Sequence, residues 1–129
     1  MTDTDPISQF LTAIETATIA DCPAIAPDMT FDATVPEWRF QVEGAPKIRE
    51  ELSRWYATPG AFEEVSRTAI PGGEVVQFLL RWVEDGVDFA VHQAHVLEVA
   101  GDRIVRDTTW CGGRWSATLQ AEMAHAAQP

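Results

Sequence analysis

The chain has 129 residues, 46% hydrophobic and 22% charged, the composition of one globular domain with room for a substantial core. It carries 9 basic and 20 acidic residues, a formal charge of −11, which excludes nucleic acid and anionic membranes as expected partners because both repel it. No apolar run approaches the ~20 residues of a membrane span, residues 1–10 lack the basic-then-apolar order of a secretory signal, and two cysteines, Cys22 and Cys111, make no disulfide framework; a cytoplasmic protein with free thiols is expected.

After a polar lead-in over residues 1–5, Asp5-Pro6 reads as a helix start: a carboxylate can cap free N–H groups, and proline is tolerated in the first turn. Ile7, Phe10, Leu11, Ile14, Ala17 and Thr18 then recur at helical spacing. A second short helix is predicted over Asp21–Ala26, ended by Pro27-Asp28. Met29–Val35 alternates as a strand, with Phe31, Ala33 and Val35 on one face and Thr30, Asp32 and Thr34 on the other, which puts Asp32 toward solvent. Pro36–Phe40 reads as a loop or edge segment. Gly44-Ala45-Pro46 opens a third helix, with Ile48, Leu52, Trp55 and Tyr56 as its apolar stripe and Pro59-Gly60 as its stop.

From Phe62 the period changes to two. Strands are predicted over Phe62–Ile70, Glu74–Glu84, Val87–Val99 and Arg103–Cys111, joined by Pro71-Gly72-Gly73, by the tight hairpin turn Asp85-Gly86 and by Ala100-Gly101-Asp102-Arg103. Residues 116–129 form a tail or a helix over Ser116–Ala127. The whole chain is one α+β domain with an antiparallel meander, since strands do not alternate with crossover helices.

Four polar residues interrupt the last two apolar strands: His92, His95, Asp107 and Cys111. On Val87–Val99 the odd set, Phe89, Val91, Gln93, His95, Leu97 and Val99, is the more apolar, so it faces inward with His95 and Gln93 as polar exceptions. An imidazole in a dry site can donate or accept a proton near neutral pH; a buried His satisfied by a backbone carbonyl is the alternative. On Arg103–Cys111 two registers are open. A simple two-residue turn sets Val99 against Ile104 and points the even residues inward, whereas a bulge at Gly101 brings Asp107 in. An inward Asp107 orients His95; an outward one pairs with Arg103 or Arg106. His92 and His95 point to opposite faces and cannot share a metal ion. Cys111 beside apolar residues reads as packing, and as a nucleophile only if paired with His95.

The element order, the segment VPEWRFQVEGAPKIREEL and the hairpin HVLEVAGDRIVR resemble the SnoaL-like branch of the nuclear transport factor 2-like superfamily over about residues 6–115. The resemblance implies a cone-shaped curved sheet wrapped around the N-terminal helices with a central pocket, dimerisation through the outer sheet face, and no cofactor. It places His95 where ketosteroid isomerases keep a pocket acid, Asp32 near those enzymes' general base, and Asp107 two residues before Thr109, the position matching an aspartate of related epoxide hydrolases. Tyr56 is not the counterpart of the isomerases' helix tyrosine, which argues against steroid isomerisation. The expected site therefore has His95 and Asp107 as catalytic residues, with Gln93, Trp38, Trp110, Leu97, Cys111 and Tyr56 contacting a small hydrophobic molecule. Trp55 and Trp82 are assigned to core or dimer packing, and Trp115 to the cavity mouth after a flexible Cys111–Arg114 turn. The leading reading is cofactor-free acid–base chemistry: isomerisation, cyclisation, dehydration or epoxide opening. The alternatives are a dimeric ligand-binding module without chemistry and an interaction domain whose cone is filled by its own side chains.

Overall fold

The computed structural model describes residues 5–127; residues 1–4 of the polar lead-in and the last two of the tail lie outside the described residues. Helix α1 runs Pro6–Thr16, and the Asp5 carboxylate accepts the Ser8 N–H as its N-cap. The second helix is a short 3₁₀ turn, Ile19–Asp21, rather than Asp21–Ala26. It ends before Pro23, and by Ile25 the chain has entered strand β1 (Ile25–Val35), where the Ile104 N–H reaches the Ala24 carbonyl. Pro36-Glu37, with Glu37 at φ 65, turns the chain into edge strand β2 (Trp38–Glu43). Helix α2 (Ala45–Trp55) follows Gly44 and buries Ala45, Ile48 and Leu52.

Strands β3 (Ala61–Ile70), β4 (Gly73–Glu84), β5 (Val87–Ala100) and β6 (Arg103–Ser116) form the meander, and helix α3 (Ala117–Ala126) closes the chain with Ser116 as N-cap. Asp85 and Gly86 both take positive φ, the backbone that two-residue hairpins demand. The sheet order is β2-β1-β6-β5-β4-β3. All neighbours are antiparallel except β1 and β6, which run parallel through the centre. α1 and α2 lie across the concave face, and Phe10, Ile14, Phe31, Ile48, Leu52, Phe78, Leu97 and Ile104 pack between helices and sheet as the core.

Two irregularities in the β5–β6 ladder decide which side chains face that core. The hairpin is a two-residue turn, with Ala100 opposite Arg103 and Val99 opposite Ile104. One step later the register shifts: Glu98 faces Arg106, leaving Val105 as an extra residue. The expected bulge therefore lies at Val105 rather than at Gly101, where the simple turn holds, and it still brings Asp107 in. Beyond the bulge, Leu97 faces Asp107, His95 faces Thr109 and Gln93 faces Cys111, all inward. A second shift brings Val91 opposite Arg114, so Gly112 and Gly113 together span one step of β5. Paired glycines in a strand are the ordinary mark of a bulge. The expected flexible turn at Cys111–Arg114 is thus continuous strand, and the bulge swings Arg114 inward and Trp115 outward.

Candidate functional site

β5 and β6 deliver the polar residues, and α2 delivers the residue that meets them. His95 (1% exposed) and Asp107 (0% exposed) are adjacent, with Nδ1 2.9 Å and 3.1 Å from the two carboxylate oxygens. The Thr109 hydroxyl donates to Asp107 Oδ1 at 2.6 Å and lies 2.9 Å from His95 Nδ1. The imidazole stacks on Phe78, with centroids 5.2 Å apart, and meets the edge of Phe10 on α1. Its Nε2 lies 2.8 Å from Gln93 Oε1. The Tyr56 hydroxyl, at the C-terminal end of α2, donates to the same oxygen at 2.6 Å, and Gln93 Nε2 donates to Cys111 Sγ at 3.3 Å. One hydrogen-bonded line therefore runs Asp107–His95–Gln93–Tyr56. Burial pushes the Tyr56 phenol well above its ordinary range, the charge of Asp107 adds to that, and the bond to Gln93 acts against it.

The line ends at a cavity of about 390 Å³ between α2, the sheet and the end of β6. Phe40, Trp55, Leu80, Trp82 and Val91 form apolar walls, and Tyr56, Gln93 and Cys111 supply polar atoms at its floor. Glu51, Arg54, Glu84 and Arg114 stand at its rim, paired as Arg54–Glu51 at 2.7 Å and Arg114–Glu84 at 2.8 Å. The Arg114 guanidinium lies over Trp82 and Phe89, 5.6 Å and 4.5 Å from the ring centroids. Its hydrogen bond to Glu84 is the main cause holding that carboxyl below the usual carboxylate range.

Of the predicted contacts, Gln93, Cys111 and Tyr56 line this cavity. His95 and Asp107 do not; they lie behind Gln93, sealed by Phe10 and Phe78. Leu97 is packed in the core instead, two residues beyond His95 and roughly 13 Å along the strand from Gln93. Trp38 is 69% exposed at the start of edge strand β2, where no element covers it. Trp110 is 49% exposed because the Val105 bulge sends the even residues of β6 to the outer face. Trp115 lies 6.3 Å from His92 rather than at the cavity mouth. The walls are built by Trp55 and Trp82, assigned above to packing. Sequence reasoning missed Arg114, for which Gly112-Gly113 was the available signal.

Asp32 is on the outer face as alternation predicts, yet only 2% exposed. Its cover consists of side chains rather than core: Arg39 donates at 3.1 Å and 2.7 Å, Gln41 at 3.2 Å, and Arg106 stands 3.6 Å away. The Arg39 hydrogen bond, foremost, lowers its pKa against a smaller opposing effect of desolvation. It lies apart from the cavity. Among the described residues, no group of three His, Cys, Asp or Glu is placed to hold a metal ion, and no helix is long and apolar enough to cross a membrane.

Among the described residues, three α-helices lie on a curved, unclosed six-stranded sheet with a cavity between helix and sheet; this is the α+β cone of nuclear transport factor 2-like proteins, and the chain has that fold. It is similar to an NTF2-like protein from Anabaena variabilis (TM-score 0.68, 16% identity, covering 84% of each chain). It is also similar to a protein of ketosteroid isomerase-like fold from Catenulispora acidiphila, solved with trimethylamine (TM-score 0.62, 18% identity, 83% of this chain and 85% of that one). A third likeness is to an LEH-like epoxide hydrolase from M. tuberculosis (TM-score 0.62, 13% identity, 82% of this chain and 79% of that one). No protein-family model and no curated protein matches the sequence.

Proposed function

We propose that this protein binds a small, largely apolar molecule in the 390 Å³ cavity, with one polar atom of that molecule held at Tyr56 and Gln93. The observation that carries the reading is the buried Tyr56–Gln93 hydrogen bond at the floor of an otherwise aromatic and aliphatic pocket. Small-molecule sites have this pattern: apolar walls giving affinity and a few convergent polar groups giving orientation, in volumes of ~300–1,000 Å³. Two of the structural neighbours, the epoxide hydrolase and the trimethylamine complex, take small molecules, in line with this reading.

A second reading, acid–base chemistry of the SnoaL-like kind, is favoured by the line from Asp107 through His95 and Gln93 to Tyr56. In it Tyr56 is the group that touches substrate, and Gln93, His95 and Asp107 position it. The reaction would be isomerisation, cyclisation, dehydration or epoxide opening, without a cofactor. We further propose a homodimer through the outer sheet face, where Trp110 stands exposed.

The test is a panel of bicyclic hydrocarbons, ketones and alcohols followed by tryptophan quenching. Ligands should quench the parent protein and lose that effect when Trp55 and Trp82 are both changed to Phe. Tyr56→Phe should weaken a polar ligand about tenfold and leave its hydrocarbon analogue unchanged. Quenching that survives the double change, or no quenching by any member, refutes the pocket. Turnover lost in Tyr56→Phe and in Asp107→Asn with binding retained would establish chemistry over binding alone.

A further inference from the structure

The hydrogen-bond line contains a constraint that reaches the ligand. Asp107 accepts from the Thr109 hydroxyl at 2.6 Å and faces His95 Nδ1 at 2.9 Å. A carboxylate in that position requires a proton on Nδ1 in both charge states of the ring. Nε2 is then the one nitrogen at which His95 can gain or lose a proton.

Gln93 stands against that nitrogen and has two faces. Its Oε1 meets both His95 Nε2 at 2.8 Å and the Tyr56 hydroxyl at 2.6 Å, while its Nε2 meets Cys111 Sγ at 3.3 Å. A carbonyl oxygen accepts, so with Asp107 ionised this amide orientation suits the imidazolium. Tyr56 then donates inward to Gln93 and leaves its lone pairs for the cavity. In the neutral ring Nε2 is itself a lone pair and opposes a carbonyl oxygen. Rotating the amide by half a turn resolves the clash. The Gln93 NH₂ then donates to both His95 Nε2 and Tyr56 Oη, and the Tyr56 O–H is released toward the cavity. Cys111 permits either state: its sulfur accepts from the amide N–H in one, and its S–H donates to the amide oxygen in the other. The Gly113 N–H, 3.4 Å from Sγ, stays in both.

We propose that His95, without reaching the cavity, sets the hydrogen-bond polarity of the cavity floor: Tyr56 presents an acceptor while His95 is an imidazolium and a donor while it is neutral. The inference rests on the pocket reading above and names the ligand's polar group. Molecules with a bare N–H or O–H donor fit the first state, and molecules with a ketone or ether oxygen fit the second. The groups around His95 allow this switch. Phe10 on α1 and Phe78 on β4 are uncharged, Gln93 comes from β5, Asp107, Thr109 and Cys111 from β6, and Tyr56 from the end of α2. Asp107 is the charged group in the set; Tyr56, held protonated by burial, is a neutral donor or acceptor throughout.

The experiment is calorimetric titration of the intact protein with 1-indanone, an acceptor-only probe, and indole, a donor-only probe, from about pH 5 to about pH 8. Indanone affinity should rise about tenfold with pH and indole affinity fall about tenfold, with one shared midpoint. Gln93→Leu should flatten both profiles. If both probes bind with a pH-independent ratio, or the opposed profiles persist in Gln93→Leu, the inference fails and the pocket stands. If neither probe binds at any pH, the pocket reading fails and the inference with it. Nitrogen-15 NMR of unmodified protein gives a second, variant-free reading: Nδ1 should keep its proton throughout while Nε2 titrates. An Nδ1 that loses its proton, or an Nε2 that never titrates across that range, overturns the proposal.

Discussion

Replacing Asp107 by Ala should be among the most damaging single changes in this chain. The carboxylate is fully buried and receives the His95 Nδ1 proton and the Thr109 hydroxyl. Alanine leaves both donors without an acceptor in a place water does not reach. Each buried donor left unsatisfied costs about 1–3 kcal/mol, and breaking a buried pair by deleting one partner typically costs about 3–5 kcal/mol. Against a total of roughly 5–15 kcal/mol for a domain, that removes a large share of the stability. At roughly 3–6 °C per kcal/mol for a chain of this size, Tm should fall by about 9–30 °C. Asp107→Asn keeps an acceptor for Nδ1 and should lose distinctly less. The decisive comparison is the triple change His95→Leu, Asp107→Leu, Thr109→Val. It removes the pair and its third member together, and exchanging buried ion pairs for apolar groups is often neutral or stabilising. The triple variant should therefore be more stable than Asp107→Ala alone, as read by urea denaturation with circular dichroism. A folded Asp107→Ala losing under about 1 kcal/mol, or a triple variant worse than the single one, would refute the argument that desolvated hydrogen bonding governs this site.

Asp32→Asn should lower stability at neutral pH through loss of the Arg39 pair. Because the folded pKa of Asp32 is depressed, its contribution is complete above the unfolded value of about 3.9 and fades as pH falls through the folded one; parent and variant melts should converge in acid, and a constant gap would contradict the assignment. Gly73→Ala should cost about 1–3 kcal/mol or more in urea denaturation, since a Cβ there would sit 1.8 Å from the Leu97 carbonyl oxygen on β5. On the proposed pairing through the outer sheet face, the parent should sediment as a dimer and Trp110→Glu as a monomer in analytical ultracentrifugation while indanone binding is retained, because Trp110 lies outside the cavity; an equal mass for parent and variant at equal concentration would remove the outer face as the dimer surface.

Helices α1 and α2 and the four meander strands were legible because each is a local pattern. The stripe of α1, its Asp5 cap, and the alternation of Phe89, Val91, Leu97 and Val99 that turns Gln93 and His95 inward can all be read within a dozen residues. The parallel pairing of β1 with β6 was not legible, since no local signal joins Phe31 to Asp107 across the chain. It extends β1 back to Ile25, where a helix was expected. Tryptophan parity was a weak guide for a related reason. Alternation tells inside from outside but not core from cavity, so Trp55 and Trp82 could not be separated from packing residues, and Trp38 could not be seen to overhang an edge.

The site itself depends on two bulges that no periodicity demands. Were Val105 paired with Glu98 in an unbroken ladder, Arg106 would face Leu97, and Arg106, Thr108 and Trp110 would point into the core. A guanidinium would then stand where Asp107 meets His95, and an indole would fill the space beside Gln93. With Val105 bulged out of the ladder, the acid, the hydroxyl and the thiol fall on one face in step with Leu97, His95 and Gln93. Gly112-Gly113 then reverses the parity once more, so the same strand that buries Asp107 at one end presents Arg114 at the cavity rim at the other. Straight pairing would have made β6 a uniform wall. The two bulges instead sort its polar residues by depth: a sealed carboxylate, a half-buried thiol at the floor and a charged group at the mouth. Deleting Val105 should therefore spare the site: Arg106 then follows Ile104 directly, still faces Glu98, and leaves Asp107 opposite Leu97, so circular dichroism should show a folded chain, and a deletion variant that fails to fold would refute this register.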